Sequence, residues 1–527
     1  MAGRLQLEAG ESDALFLSKE PDFSYFTTIH KKHTPFSVEN VVLEAETECN
    51  FNQVSTFKIL PDCGDLLNKI YLKVTLPKFP TIPGGYDVWG TYDPTNFGEG
   101  TPDSNGVYTN GFQPVRLFYT ESIGHALIDY IEIKIGGQMI ERLTGENLQM
   151  YSEISDTQGK QIMNKELIGK FPYEFNITPT SHSLIALNMR NYSYSQIPEN
   201  VERDLYINIP FYFYNNPELY LPICSIYKQE IEIEVKFRNI HDLVVEYIYP
   251  NHPTFRERWG VTKPRSEFNS YIENLKISDV KCNAEVTFLD NIERIKVKRR
   301  NVDYLMSELQ LNSFRMNTQI NTIPKERFNL SFKNPVKELY FFIQRENIDA
   351  GGANQATVDL QSTTFVTPFN YDNSTRSPLI PTHDFDSSAK DGYFVIDNLK
   401  ELSLSIDGEE VISKTVGKPH FLRVVQPSIH HNRVPMTRKV YMYSFALKPE
   451  DWRPSGHIDF TRIKNQILDI TLYSSDAYLS KRMVPGEINY WPSVPGVGWF
   501  TFPRNIRVYA KSYNILRVKD GMAQKLF

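Results

Sequence analysis

Cysteine is scarce in this sequence. The 527 residues include four cysteines, and no CxxC pair or Cys/His array suggests a zinc site or a disulfide scaffold. We therefore expect reduced, mostly buried thiols in a protein made and assembled in the cytosol: Cys49, Cys63, Cys224 and Cys282. A disulfide between the first two is the less favoured alternative.

Long apolar runs are also missing. No stretch reaches the roughly 18 consecutive apolar residues that a membrane-spanning helix needs. Charged residues from Arg4 to Asp13 interrupt the N-terminal region before a signal-peptide core could form, and Ala2 stands where N-myristoylation needs glycine. We expect no spanning helix, signal peptide or myristoyl anchor.

Neither sign of charge dominates. The 57 basic and 63 acidic residues give a net charge of −6, which argues against a bulk nucleic-acid binder. The one dense basic cluster contains Lys296, Lys298, Arg299 and Arg300. A solvated helix face is the favoured interpretation; a contact with DNA or with anionic lipid is the alternative.

Catalytic motifs are absent from the sequence: there is no phosphate-binding GxxxxGK(S/T), no GxSxG elbow and no HExxH. His420, His430 and His431 might suggest a metal. Adjacent strand residues point to opposite faces, and the H-x-H spacing is missing, so solvent or interface histidines are favoured. We predict a protein that is not an enzyme, with no catalytic, cofactor-binding or metal site.

Segments in which apolar and polar residues alternate are abundant in the sequence. Apolar and polar residues alternate in 72–76, 131–135, 231–237 and 402–406, as expected for strands with one face in a core. Many such strands between proline- and glycine-rich turns predict antiparallel β-sandwiches.

Helical signals are few. Asp290 is an N-cap candidate with Glu293 three residues later, as in a capping box; this helix is predicted to continue through Val297 toward Met306. A second helix is predicted from Gly145 to Ser155.

The strand pattern occurs twice. YIEIKIGGQMIE at 130–141 is echoed by LSLSIDGEEVI at 402–412, and 205–237 is echoed by 440–472. Since 527 residues are also too many for one ordinary core, we predict two similar domains.

Two long polar loops interrupt the pattern, at 80–113 and 347–392. Loops of this length usually carry function. The first holds aromatic residues that could stack on sugars but are more simply explained as anchors of the loop to its own domain: Tyr86, Trp89, Tyr92 and Phe97.

Five sequence blocks, in order along the chain, resemble one family. They are PDFSYF (21–26) with HTPF (33–36), GHALI (124–128) with IGGQ (135–138), NPVKEL (334–339), YSFALKPEDWRPSGHIDFTR (443–462) and YAKSYNIL (509–516) with GMA (521–523). Together they resemble the major capsid proteins of nucleocytoplasmic large double-stranded DNA viruses.

That resemblance implies an all-β fold: two tandem eight-stranded antiparallel jelly-roll sandwiches, a double jelly roll, with a few short helices and long loops. The implied division is an N-terminal segment 1–23, a first jelly roll 24–240, a linker 241–273 and a second jelly roll 274–527. The long loops are expected at domain ends, and the residues before Pro21 at the inner side, where they become ordered on assembly.

The implied function is structural. In this family, homotrimers form pseudo-hexagonal capsomers that tile an icosahedral shell over an inner lipid membrane. The expected partners are therefore other copies of the chain, minor capsid and penton proteins, with the membrane nearby but no transmembrane anchor and no sequence-specific nucleic-acid binding. The expected location is the virion, after assembly in host cytoplasm.

Two alternatives stay open. A carbohydrate-binding or carbohydrate-active β-sandwich protein would use the loop aromatics. A minor or penton capsid component is the other, although pentons are usually a single jelly roll, which the length of this chain disfavours.

Overall fold

A computed structural model describes residues 26, 32–79, 116–170, 202–248, 260–262, 269–316, 323–345, 368, 369, 371, 397–435, 439–472 and 504–527. The strands are β1 (Phe36–Leu43), β2 (Val54–Ile59), β3 (Leu66–Leu76), β4 (Arg116–Tyr119), β5 (Ile128–Ile135), β6 (Gln138–Thr144), β7 (Arg203–Ile209), β8 (Ile231–Phe237), β9 (Val244–Ile248), β10 (Gly260–Thr262), β11 (Asp279–Leu289), β12 (Val302–Met316), β13 (Lys325–Asn329), β14 (Pro335–Arg345), β15 (Leu399–Ile406), β16 (Glu409–Ile412), β17 (Tyr441–Ser444), β18 (Ile458–Asp459), β19 (Gln466–Leu472), β20 (Arg504–Lys519) and β21 (Met522–Lys525).

Helices are short and few, as predicted. The α-helices are α1 (Ile123–Leu127), α2 (Gly145–Ile154), α3 (Gln158–Ile168), α4 (Asn269–Ile272), α5 (Asn291–Arg299) and α6 (Gln426–His430). A π-helical turn, Phe421–Val425, leads into α6.

The strands form two sandwiches. In the first, the antiparallel sheet β1-β11-β3-β7 packs against β2-β8-β5-β6, and a small sheet, β10-β9-β4, lies beside them. In the second, β12-β20-β14-β17 packs against β13-β19-β15-β16, and β18 and β21 extend the former to six strands. The alternating segments found in the sequence are β3, β5, β8 and β15, so these predictions are confirmed.

The two sandwiches repeat one plan. Strands taken in chain order occupy the same sheet positions: β1 corresponds to β12, β3 to β14, β7 to β17 and β11 to β20, and the opposite sheets correspond in the same way. Even one hairpin turn is shared. Gly136–Gly137 joins β5 to β6 and Asp407–Gly408 joins β15 to β16, all with positive φ, as type I′ turns require. The repeat predicted from 130–141 and 402–412 is thus present in the fold.

The end of the first sandwich lies later in the chain than the sequence analysis placed it. Strand β11, which the division at 274 assigned to the second domain, pairs with β1 and β3 of the first sandwich. It fills the position that β20 fills in the second. The segment 241–273 therefore precedes the last strand of the first sandwich, and its sequence gave no sign of this because proline- and glycine-rich stretches occur within domains as well as between them.

Helix α5 is shorter than predicted. Asp290 caps it as expected, its carboxylate accepting a hydrogen bond from the Ile292 amide at 3.3 Å. The helix ends at Arg299, and the continuation toward Met306 is wrong, because 302–316 pairs along its whole length with β20. Helix α2 matches the prediction within one residue.

Each sandwich has two unlike ends. In the first, Leu76 and Arg203 pair with each other, and these strand ends flank the segments 80–115 and 171–201. At the opposite end Phe36 pairs with Leu289, and connections such as Gly136–Gly137 are short. We call these the loop end and the short-turn end.

The second sandwich points the same way. Its loop end is marked by Arg345 paired with Arg504, the strand ends that flank 346–367 and 473–503. Its short-turn end contains the Asp520–Gly521 turn, which lies against Tyr227 in the connection between β7 and β8 of the first sandwich. The strand ends that flank these four segments therefore lie on one side of the molecule, and the Gly136–Gly137 and Asp520–Gly521 turns lie on the opposite side.

Candidate functional site: the interface between the sandwiches

Strand β14 of the second sandwich is buried on both faces. Along β14, Leu339 and Phe341 belong to the core of the second sandwich. The alternate residues Tyr340 and Phe342 belong to a cluster that is continuous with the core of the first sandwich. Because both faces of this strand are covered, its sequence is a continuous apolar run rather than an alternating one.

A buried ion pair crosses the interface near the loop end. Glu146, in the first turn of α2, accepts two hydrogen bonds from the Arg507 guanidinium on β20, at 2.7 and 2.8 Å. Tyr371 and Tyr509 donate their hydroxyls to the same carboxylate, at 2.6 and 2.5 Å. The Arg507 guanidinium also donates a hydrogen bond to the side-chain oxygen of Gln344, at 2.8 Å.

The pair holds its charges despite burial. Burial alone would raise the pKa of Glu146, but the Arg507 charge and the three donors lower it below its usual value. Burial would likewise lower the pKa of Arg507, and Glu146 raises it instead. A charge-assisted, bidentate pair of this kind fixes both distance and orientation between the elements that carry it.

A second buried charge cluster is centred on His431, whose side chain is 1% exposed. Its Nε2 contacts Glu338 on β14 and its Nδ1 lies 3.0 Å from Glu450. Ser155, at the end of α2, donates its hydroxyl to Glu450 at 3.2 Å, so this cluster also joins the sandwiches. Burial alone would lower the pKa of His431, but Glu338 and Glu450 raise it to about 9, so the imidazolium is the form present at neutral pH.

The C-terminal hairpin closes the interface at the short-turn end. The Lys228 amide donates to the Gly521 carbonyl at 3.0 Å, and the Ala523 amide donates to the Gln229 side chain at 2.6 Å. Gly521 has φ +85°, and an added Cβ would lie 2.6 Å from Cζ of Tyr227. Only glycine meets both requirements. Contacts at both ends and an apolar middle thus hold the sandwiches in one fixed relation.

The family models match both halves of the chain. A model described as the major capsid protein N-terminus matches residues 24–249. A second, described as large eukaryotic DNA virus major capsid protein, matches residues 293–524. The chain belongs to the major capsid proteins of large eukaryotic DNA viruses.

Individual relatives agree along the whole chain. The major capsid protein of Phaeocystis pouchetii virus is 22% identical over 99% of this chain and 98% of its own length. The PBCV-1 capsid protein VP54 has a similar structure, with a TM-score of 0.61, 18% identity and coverage of 96% of this chain and 100% of that one. The Faustovirus major capsid protein gives 0.60 at 15% identity, covering 98% and 96%. The double jelly-roll fold is therefore shown.

Three of the five sequence blocks that carried the resemblance supply some of this capsid protein's inter-sandwich contacts. Glu338 belongs to NPVKEL, Glu450 to the long block, Tyr509 to the C-terminal block and Gly521 to GMA. Sequence analysis had assigned none of them a role at the interface. Each became recognisable only once a partner from a distant segment was known, although their placement in three of the five blocks was a usable signal.

The histidines have unlike environments. His431 is a buried interface residue, whereas Nδ1 of His430 lies 3.1 Å from the Leu447 carbonyl and His420 is exposed. No group of three or more His, Cys, Asp or Glu suited to a metal ion occurs among the residues that the structure describes. Within that same part of the chain, no helix has the length and apolar character needed to cross a membrane.

The structure describes the cysteines and the basic cluster singled out in the sequence, but not the loop aromatics. All four cysteines are free thiols; only Cys282 is buried and the other three are half-buried, so "mostly buried" was wrong. The loop aromatics, nearly all of both long loops and the N-terminal segment lie outside the described residues. The basic cluster is exposed on α5 and its C-cap residue.

Proposed function

We propose that three copies of this capsid protein form a pseudo-hexagonal capsomer, the repeating unit of an icosahedral shell. One observation carries the proposal: the two sandwiches have the same strand order. Three chains then contribute six similar sandwiches, and a threefold ring can offer its neighbours nearly sixfold edges. The fixed interface supports this, since hexagonal packing needs the two sandwiches of a chain to keep one spacing.

The two unlike ends suggest which surface faces outward. We propose that the loop end is the outer surface and the short-turn end the inner one, close to the inner membrane and the minor capsid and penton proteins. The two sandwiches that follow from the strand pairing are 36–289 and 302–525, connected by α5. Assembly would take place in host cytoplasm, and we propose that the protein has no catalytic activity and does not bind nucleic acid in a sequence-specific way.

Light scattering on the purified protein tests the capsomer directly. The expected mass is three times the 61.1 kDa of one chain, with hexagonal outlines in negative-stain images of the same peak. A stable monomer or dimer at micromolar concentration would contradict the proposal. In the carbohydrate-binding alternative, the protein would be monomeric or dimeric and its Tm would rise with an added oligosaccharide, so a thermal screen of the same sample separates the two.

A further inference from the structure

Helix α5 is oriented in an unusual way, with its apolar residues facing outward. It has no buried residue, and Ile292 and Ile295 are 67% and 49% exposed. These two positions, together with Lys296 and Arg299, fall on one side of a helix with 3.6 residues per turn. A merely solvated helix would gain nothing from two exposed isoleucines.

Polar contacts hold the helix in this orientation. On its inner side, the Arg294 guanidinium binds the buried carboxylate of Asp65 at 2.7 and 2.8 Å. Ser225 donates its hydroxyl to the Val297 carbonyl at 3.1 Å. Since these contacts fix the inner side, the apolar and cationic outer side is a constant feature of the surface.

The outer side of the helix continues into a larger surface. The Lys298 amine lies 5.0 Å from the centre of the Tyr227 ring, which is itself 52% exposed. We define the α5 patch as Ile292, Ile295, Lys296, Lys298, Arg299 and Tyr227. It combines isoleucine, tyrosine and three cations at the short-turn end, beside the Phe36–Leu289 pairing.

We propose that the α5 patch docks on the surface of an anionic phospholipid bilayer. Lysine and arginine attract the headgroup phosphates, tyrosine suits the headgroup level, and the isoleucines enter the acyl boundary. Each cation near such a surface adds to the electrostatic attraction. Nucleic acid would also attract the cations, but it would leave two exposed isoleucines without a contact, so lipid is the better match.

A single patch of this size binds weakly, and many copies on one surface bind strongly. This avidity rests on the proposed capsomer; the contact of one patch does not. Sedimentation with large vesicles, alongside light scattering on the same protein, therefore separates the two ideas. A trimer that ignores anionic vesicles would refute the patch alone, and a monomer that binds them would refute the capsomer alone.

The vesicles should be phosphatidylcholine with 30% phosphatidylserine, and pure phosphatidylcholine as reference, in low salt. We expect binding to the anionic vesicles only, reduced about tenfold by Ile292→Ser/Ile295→Ser, since losing two apolar contacts costs about 1.4 kcal/mol or more. Lys296→Glu/Arg299→Glu should abolish it. Exposed residues elsewhere provide matched controls: Ile162→Ser/Ile429→Ser and Lys160→Glu/Lys414→Glu should bind as the unmodified protein does.

Three results would overturn the proposal. They are equal binding to both vesicle types, binding that survives Ile292→Ser/Ile295→Ser, and loss of binding in the control variants. Duplex DNA should be tested in parallel. If DNA competes fully with the vesicles and its binding is indifferent to the isoleucine changes, the patch is a nucleic-acid site instead. Unchanged mass and circular dichroism must accompany each variant, so that a loss of binding reports the patch rather than the fold.

Discussion

Arg507 and Glu146 form two nearly parallel hydrogen bonds across the boundary between the sandwiches, although 361 positions separate them in the chain. Glu146 lies in the first turn of helix α2 of the first sandwich, and Arg507 lies on β20 of the second. We expect Arg507→Met to leave a buried, uncompensated carboxylate and to cost about 3–5 kcal/mol of stability. Thermal unfolding of the purified protein measures this as a lowered Tm.

Two controls accompany that prediction. Arg327 and Asp469 form a similar bidentate pair, at 2.8 and 3.1 Å, but the arginine side chain is 67% exposed. Arg327→Met should therefore lower the Tm much less than Arg507→Met does, because solvent screens an exposed pair. The double variant Arg507→Met/Glu146→Gln should recover part of the loss, because the unpaired charge is gone. Equal Tm changes for Arg507→Met and Arg327→Met would show that burial of the interface pair is unimportant.

Neighbouring phenylalanines on β14 allow the two faces of one strand to be tested separately. Phe341 lies in the core of the second sandwich and Phe342 in the contact with the first. Each change to alanine should cost about 3–5 kcal/mol, but the consequences should differ. Phe341→Ala should lower the temperature at which the second sandwich unfolds. Phe342→Ala should split the calorimetric unfolding into two transitions, because the sandwiches then unfold separately. A single transition in both variants would contradict this.

Two glycines in Asp-Gly turns of similar backbone conformation separate backbone strain from a clash. Gly521 and Gly408 have φ +85° and +96°, and a Cβ at Gly408 would meet nothing within 4 Å. Both changes to alanine impose the strain of a left-handed residue, about 1 kcal/mol. Only Gly521→Ala also displaces Tyr227. We expect a clearly larger fall in Tm for Gly521→Ala, with faster proteolysis of the C-terminal hairpin; equal falls would mean that the hairpin contact adds nothing.

Stability should depend on pH through two buried groups whose pKa values are shifted in opposite directions. The folded pKa of His431 is about 9, above its ordinary 6.5. Its stabilising effect is complete below pH 6.5 and is lost as the pH rises through 9. Burial and the charge of Lys511 lower the pKa of Lys337 to about 7 from 10.5. The cost of burying that charge is greatest below pH 7 and disappears toward 10.5, so stability rises there.

Single variants should expose both slopes. Between pH 7 and 9, the Tm of His431→Gln should rise with pH relative to the unmodified protein, because the loss from His431 is removed. The Tm of Lys337→Met should fall relative to it over the same interval, because the gain from Lys337 is removed. Tm against pH in buffers of matched ionic strength checks this. Parallel curves for all three proteins would refute the assignment.

The strands could be predicted from the sequence, whereas the contacts between the sandwiches could not. Strands such as β5 and β8 were predictable because one face is buried and the other meets solvent, so that apolar and polar residues alternate in the sequence. The residues of the interface show no such pattern. His431 gave no sign of being buried, since its partners Glu338 and Glu450 are 93 and 19 positions away. Likewise β11 follows a proline-rich stretch, and only its pairing shows which sandwich it completes.

Strand β14, which is buried on both faces, has a chemically different counterpart, β3, in the first sandwich. In the first sandwich the equivalent strands carry ion pairs on the outer face, Lys73 to Asp204 at 2.8 Å and Lys69 to Glu285 at 3.6 Å. Strand β1 at the edge adds exposed Phe36, Val38 and Val42. Identical topology thus carries two different faces: one is buried between the sandwiches among apolar residues and buried ion pairs, and the other is exposed, so that salt screens its ion pairs. Any contact that this exposed face makes in the proposed capsomer would therefore weaken with added salt before the contact between the two sandwiches of one chain does.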